Sequence, residues 1–335
     1  MKKLLALVLA GIMVFGVAAC SSKPAETTTT TATTEAKEDD YVVQIVQGAS
    51  LCTAPMYLAM TNGYFDELGV KYEYTRGDGA QWDAMAGDKN DIVYGLLPTF
   101  VQRIANGFEM YLVSGSHYGC INVVATDASG IQSISDLKGR TVGIPSGLGS
   151  DPAILLQRML VAYGIDLTEV NLQVYTNADL ATALQEGYVE AFVSWDPYAT
   201  IVSQYEGNHL IFDQAKDPMT ADEYCCLFGF RPEFVDEHPE IAKKCVQAFT
   251  MACEFIAENP VEAAKIIYDE GFIADPDYEF NGKLLESYRY ATDFAATKAS
   301  FVDVANDLVD LGIITLTVDS QTLADQVFVN IGEIE

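Results

Sequence analysis

RTVGIPSGLGSDPAILLQRMLVAYG, residues 140–164, decides the fold class. Its first six residues, RTVGIP, are mostly β-branched or apolar and stop at a proline, the pattern of a short strand. A glycine-rich turn, SGLGS, follows at 146–150. From Asp151 the apolar residues run at helical spacing to Gly164, with Ser150 or Asp151 as the cap and Pro152 suited to the first helical position. A strand, a tight turn and a helix in succession form half of a strand-helix-strand unit, so the region predicts a largely parallel sheet covered by helices.

The alternation extends both ways. Upstream, strands are expected at 41–47, 70–75, 91–97 and 110–116, and helices at 55–63, 80–87 and 98–107, with Gly63, Gly87 and Gly107 at helix ends. A second series starts near Ala125. It adds strands at 140–145, 170–176 and 189–195 and helices at 151–164 and 179–187. After Tyr224 the pattern turns helical, through 238–260, 261–271, 282–294 and 299–312. Two α/β series with a helical tail imply two small sheets and a hinge between them.

The ends speak of export. Lys2 and Lys3 precede an uncharged apolar run, Leu4 to Val17, and small residues lead to Cys20. That is the layout of a signal peptide over residues 1–19, since a run of about 14 residues is too short to span a bilayer. Residues 20–40 then form a Thr-rich tether, too poor in apolar residues to fold. The formal charge of −29 becomes −31 once residues 1–19, with two lysines and no acid, are removed. Such a balance excludes nucleic acid and electrostatic docking on anionic lipid.

Besides Cys20 there are six cysteines: 52, 120, 225, 226, 245 and 253. No CxxC pair occurs and the three histidines are scattered, so thiols that are mostly reduced or buried are expected, with no metal site and no cofactor. Cys52 and Cys120 read first as small buried hydrophobes, but if they met in a cleft they could pair or meet a soft ligand.

Three stretches carry binding chemistry. The SGLGS turn offers free backbone amides at a helix start, with Ser146, Gly147, Gly149 and Ser150 forming a cradle for an anion. No Lys-Ser or Lys-Thr closes it, so it is not a P-loop. In SWDPYA (194–199), Trp195 could wall a ligand, and Asp196 could accept from an amine or cap the next helix. In GASLCTAP (48–55), Ser50 and Thr53 are the donors.

The segments PMYLAMTNGYFDELGVKYEY, GIQSISDLKGRTVGIPSG and ALQEGYVEAFVSWDPYA are similar to the solute-binding proteins for nitrate, sulfonate and taurine, the SsuA/THI5-like (NMT1) group. The resemblance runs over about residues 41–270. It implies a type II periplasmic-binding-protein-like α/β fold, two lobes with a hinge and a ligand cleft, and an ABC importer permease as partner. Lobe 1 would be 41–124 plus 226–335, and lobe 2 would be 125–225. Cleft positions would be Ser50, Thr53, the segment Gly79–Trp82 with Gln81 and Trp82, Ser146 to Ser150, Trp195 and Asp196, with His117 where the chain enters the crossover. VAAC at 17–20 resembles a lipobox, implying a lipid on Cys20 as the sole membrane attachment. A monomeric binder of a small anion (sulfonate, taurine, nitrate or similar) follows, or else a binder of a pyrimidine-type thiamine precursor or other small aromatic amine. A sensor role stays open. An enzyme of the pyrimidine-synthase kind finds no support: no nucleophile stands beside a base in one motif, and no catalytic residue is expected.

Overall fold

The computed structural model describes residues 40–48, 50–77 and 80–333. The expectations for the leader, Cys20, nearly all of the tether, and Gly79 lie outside these residues.

Ten strands fall into three sheets among the described residues. β1 (Val42–Gln47) pairs in parallel with β2 (Lys71–Arg76). β3 (Ile92–Leu96) and β4 (Tyr111–Tyr118) flank β10 (Tyr224–Phe230), both antiparallel to it. The third sheet has five strands in the order β7-β6-β8-β5-β9. Here β6 (Thr141–Pro145), β7 (Asn171–Tyr175) and β8 (Ala191–Trp195) run parallel. β5 (Ile121–Thr126) is antiparallel to β8 and to β9 (Asn208–Asp213).

The parallel core agrees with the strand-turn-helix pattern, whereas β5, β9 and β10 are antiparallel strands that the pattern does not announce. INVVAT and YCCLFGF are buried along nearly their whole length. A strand covered on both faces loses its alternation, and a short apolar run then reads equally as loop or helix. The long helix Pro239–Glu258 is the opposite case: its buried residues Ile241, Cys245, Ala248, Ala252 and Ile256 keep the three-to-four spacing of one face.

The chain passes from the first two sheets to the third through Gly119 and Cys120, and returns between β9 and β10. The two crossovers touch. Gly119 has φ 53°, and a Cβ there would lie 2.4 Å from the backbone nitrogen of Ala215. The Gln214 side chain, nearly buried, accepts the backbone N–H of Cys120 and of Ile121 at 3.1 and 3.2 Å. One residue thus pins both passages.

Two further contacts join the sheet systems. Thr99, on the helix Leu97–Ala105 after β3, donates to the Asp151 carboxylate at 2.7 Å on the helix Asp151–Ala162 after β6. Arg158, on that same helix, forks onto Glu223 at 2.8 and 2.6 Å and reaches Asp307 at 2.8 Å.

Candidate functional site

A cavity of about 520 Å3 opens where the carboxyl ends of β1, β3 and β8 converge. In open α/β sheets ligands gather beyond the carboxyl ends of strands, because the loops there are free to carry polar side chains.

One wall comes from the loop after β1. Ser50 is extended (φ −160°, ψ 148°) and starts a single 3-10 turn, Leu51–Thr53, that feeds the helix Ala54–Thr61 with Pro55 at its start. Tyrosines hold this loop by its carbonyls: Tyr94 Oη donates to Cys52 O at 2.7 Å, Tyr290 Oη to the same oxygen at 3.3 Å, and Tyr57 Oη to Gly48 O. The loop is therefore fixed while Ser50, Cys52 and Thr53 face the cavity. Gln81, at the start of the helix Gln81–Ala86, adds an amide whose Oε1 is shut off from solvent without a hydrogen-bond partner.

The opposite wall is Asn177 and the stretch Trp195–Tyr198. Trp195 ends β8 and is half-buried. The Asp196 carboxylate accepts from Asn122 Nδ2 at 2.8 Å and from the backbone N–H and hydroxyl of Thr200 at 3.2 and 2.6 Å. Both its oxygens are engaged: Oδ1 holds the start of the helix Tyr198–Ser203 and Oδ2 is tied to Asn122 of β5. Burial pushes its carboxyl up to about 6, against the pull of the Thr200 and Asn122 hydrogen bonds. Among the described lining residues Asp196 is the only carboxylate, and there is no Lys, Arg or His.

Of the residues singled out in the sequence, the fold brings Ser50, Thr53, Gln81, Trp195 and Asp196 to this one cavity. Trp82 turns inward, 6% exposed, edge-on to Phe100 and Phe108, with the Arg103 guanidinium 4.4 Å from its ring. Ser146 lines a neighbouring recess with Tyr175, Thr176 and Asp179, and Asn177 belongs to both. Gly149 borders a third recess with Thr99 and Gln102. The Ser150 hydroxyl folds back to within 2.6 Å of Pro145 O and 2.9 Å of Gly147 O, where it closes the glycine turn instead of facing outward. Gly147, with φ 113°, makes the bend itself. His117 is fully buried behind Cys52.

Sequence reading passed over Gln47, Tyr94 and Asn177, which also line the cavity. Gln47 ends the strand expected at 41–47, so the rule that placed Trp195 would have reached it too, whereas Tyr94 lies inside the strand expected at 91–97 and that rule does not mark it. Asn177 sits in an unremarkable turn and left no such mark.

The NMT1/THI5-like family model matches residues 52–263. A protein of Bacillus subtilis (strain 168) whose name assigns it to aliphatic sulfonate binding is 22% identical over 231 residues, 66% of this chain and 68% of the relative. Among solved structures, the periplasmic aliphatic sulphonate binding protein SsuA from Escherichia coli superposes with a TM-score of 0.72 at 18% identity, covering 84% of this chain and 97% of that one. The periplasmic nitrate-binding protein NrtA from Synechocystis PCC 6803 gives 0.66 at 15% identity, with 86% of each chain covered. The chain belongs to the NMT1/THI5-like family and has the two-sheet-system α/β fold of the periplasmic binding proteins.

Proposed function

We propose that this chain is the extracytoplasmic solute-binding component of an ABC importer, a binder and not an enzyme, taking one small solute into the cavity between Gln81 and Trp195. The observation that supports this reading best is the convergence of Ser50, Thr53, Gln81, Trp195 and Asp196, from distant parts of the sequence, on one recess. The recess is bordered by loops of both sheet systems, which the crossovers at Gly119 and Gln214 allow to swing as lobes 41–124 with 226–335 and 125–225. Closure of such lobes over a ligand presents a shape that a permease can read. A lipid on Cys20 would hold the protein beside that permease. Replacing Cys20 by Ala is expected to move the exported chain from the membrane to the soluble fraction.

The lining favours a neutral ring or an amine over an anion. Tyr94, Trp195 and Tyr198 supply aromatic walls, the unpartnered Gln81 Oε1 calls for a donor, and the one charged group among the described lining residues is the Asp196 carboxylate. A unit anion held about 6 Å from ionised Asp196 would be opposed by about 3 kcal/mol. A pyrimidine-type or other small aromatic amine is therefore the leading ligand class. The second reading, a small oxyanion such as a sulfonate, taurine or nitrate, is favoured by the names of the sulfonate- and nitrate-binding relatives.

A thermal-shift screen against nitrate, taurine, alkanesulfonates, bicarbonate and pyrimidines separates the two. The pH dependence of affinity then gives a sign. An anion raises the pKa of Asp196, so its binding tightens as pH falls through about 6; an amine lowers that pKa and binds tighter as pH rises through about 6. If no solute raises the midpoint under any condition, the binding role falls.

A further inference from the structure

Four side chains from three separate stretches of the sequence meet behind the Cys52 wall of the cavity. Cys52 lies in the turn Leu51–Thr53, His117 near the end of β4, Cys120 in the first crossover and Cys226 in β10. Their Sγ atoms and an imidazole nitrogen all lie within 4.8 Å of one another. All four residues are buried, and the three thiols are free. A register shift on either side of Cys226 in the β4–β10 ladder lets Cys225 and Cys226 both approach Cys120, where a regular strand would send one of them to the other face.

His117 supplies the second observation. Its Nδ1 lies 3.3 Å from the Tyr118 carbonyl oxygen, which can only accept, so Nδ1 carries the hydrogen. Nε2 is then a bare lone pair, fully buried and without a hydrogen-bond partner. An orphaned buried acceptor costs roughly 1–3 kcal/mol. A metal-bound histidine characteristically donates its far nitrogen to a carbonyl while the near one faces the ion.

We propose that Cys52, His117, Cys120 and Cys226 form a Cys3His site for a soft four-coordinate cation, Zn2+. Tetrahedral zinc with sulfur at about 2.3 Å sets its ligand atoms roughly 3.8 Å apart, so the existing cluster closes on the ion by shifts of about 1 Å or less. On binding, three thiols lose their protons to solvent and His117 stays neutral. Three thiolates and Zn2+ leave one negative charge. Its natural partners are the Ser50 hydroxyl, 2.9 Å from Cys52 Sγ, and the Cys225 thiol, 3.4 Å from Cys120 Sγ. Because Cys120 belongs to a crossover and Cys52 to the cavity wall, the ion ties the hinge to the solute site. The site does not depend on which solute is transported, so it stands or falls separately from the binding role.

The test uses the full chain, reduced and stripped with a chelator, titrated first with Co2+ and then with Zn2+. One equivalent of Co2+ is expected to give thiolate charge-transfer absorption and the intense visible bands of a tetrahedral ion, both abolished by one equivalent of Zn2+. Zinc binding should release about three protons at a pH where free thiols are protonated. Cys226→Ser and His117→Ala are each expected to weaken Zn2+ binding at least a hundredfold, while Cys253→Ser, a buried thiol outside the cluster, leaves it unchanged. Circular dichroism and the urea midpoint of the metal-free variants verify that they fold. Absence of the cobalt bands, unchanged affinity in both cluster variants, or a Cys120–Cys225 disulfide in chain isolated from its native location would each overturn the proposal.

Discussion

Replacing Asp151 by Asn should flatten the pH dependence of stability, and its size follows from the structure. Asp151 opens the helix Asp151–Ala162, is 8% exposed and receives the Thr99 hydroxyl. Burial pushes its carboxyl up to about 7, with the Thr99 hydrogen bond pulling the other way. In the unfolded chain an aspartate titrates near 3.9. A carboxyl raised by folding binds its proton more tightly in the native state, so its stabilising contribution is fully present below about pH 4 and is lost as pH rises through about 7. Between pH 5 and pH 8 the loss amounts to about 2.5 kcal/mol. Urea unfolding at those two pH values should therefore show wild-type stability falling by that much more than Asp151→Asn. The variant should equal or exceed wild type at pH 8, where the parent holds a buried charge. Parallel pH slopes for the two proteins would refute the reasoning. The contact matters for function because it joins the helices after β3 and β6, which belong to different sheet systems.

Removing the guanidinium in Arg158→Met leaves Glu223 buried without its counter-charge and should cost about 3–5 kcal/mol by urea unfolding, whereas the double change with Glu223→Met should restore most of it. Restoration of nothing would mean that Arg158 acts through packing alone. Gly119→Ala forces a side chain into left-handed backbone and into contact with Ala215, and a loss of about 2–4 kcal/mol is expected from strain and overpacking together. A midpoint equal to wild type would show that the two crossovers do not touch in solution.

The strand-helix alternation of 140–164 made the parallel half of the third sheet legible, because β6 and the helix after it are each marked by a cap, a proline and a glycine turn. What escaped were strands without such punctuation. β5 and β10 are buried along nearly their whole length, and a uniform apolar run carries no period. The site divided along the same line. Trp195 could be placed because it ends a recognisable strand, and Ser50 because it lies in the loop between a recognisable strand and the helix that follows it. Trp82 could not, because its side of a one-and-a-half-turn helix is set by Phe100 and Phe108, whose proximity is a tertiary fact. The thiol cluster was illegible for a sharper reason. Metal-ligand spacing rules describe ligands on one hairpin or helix, whereas Cys52, Cys120 and Cys226 meet only because two crossovers and a bulged strand bring them together.

The central claim, a solute held between Gln81 and Trp195, is tested most directly by isothermal titration of the best solute from the thermal screen into wild type and Trp195→Ala. Wild type should bind one solute per chain. The variant, which loses an aromatic wall at the surface of the recess and little of the core, should fold normally and bind at least tenfold more weakly. An unchanged affinity in Trp195→Ala, repeated in Gln81→Ala, would contradict the account and move the binding site elsewhere.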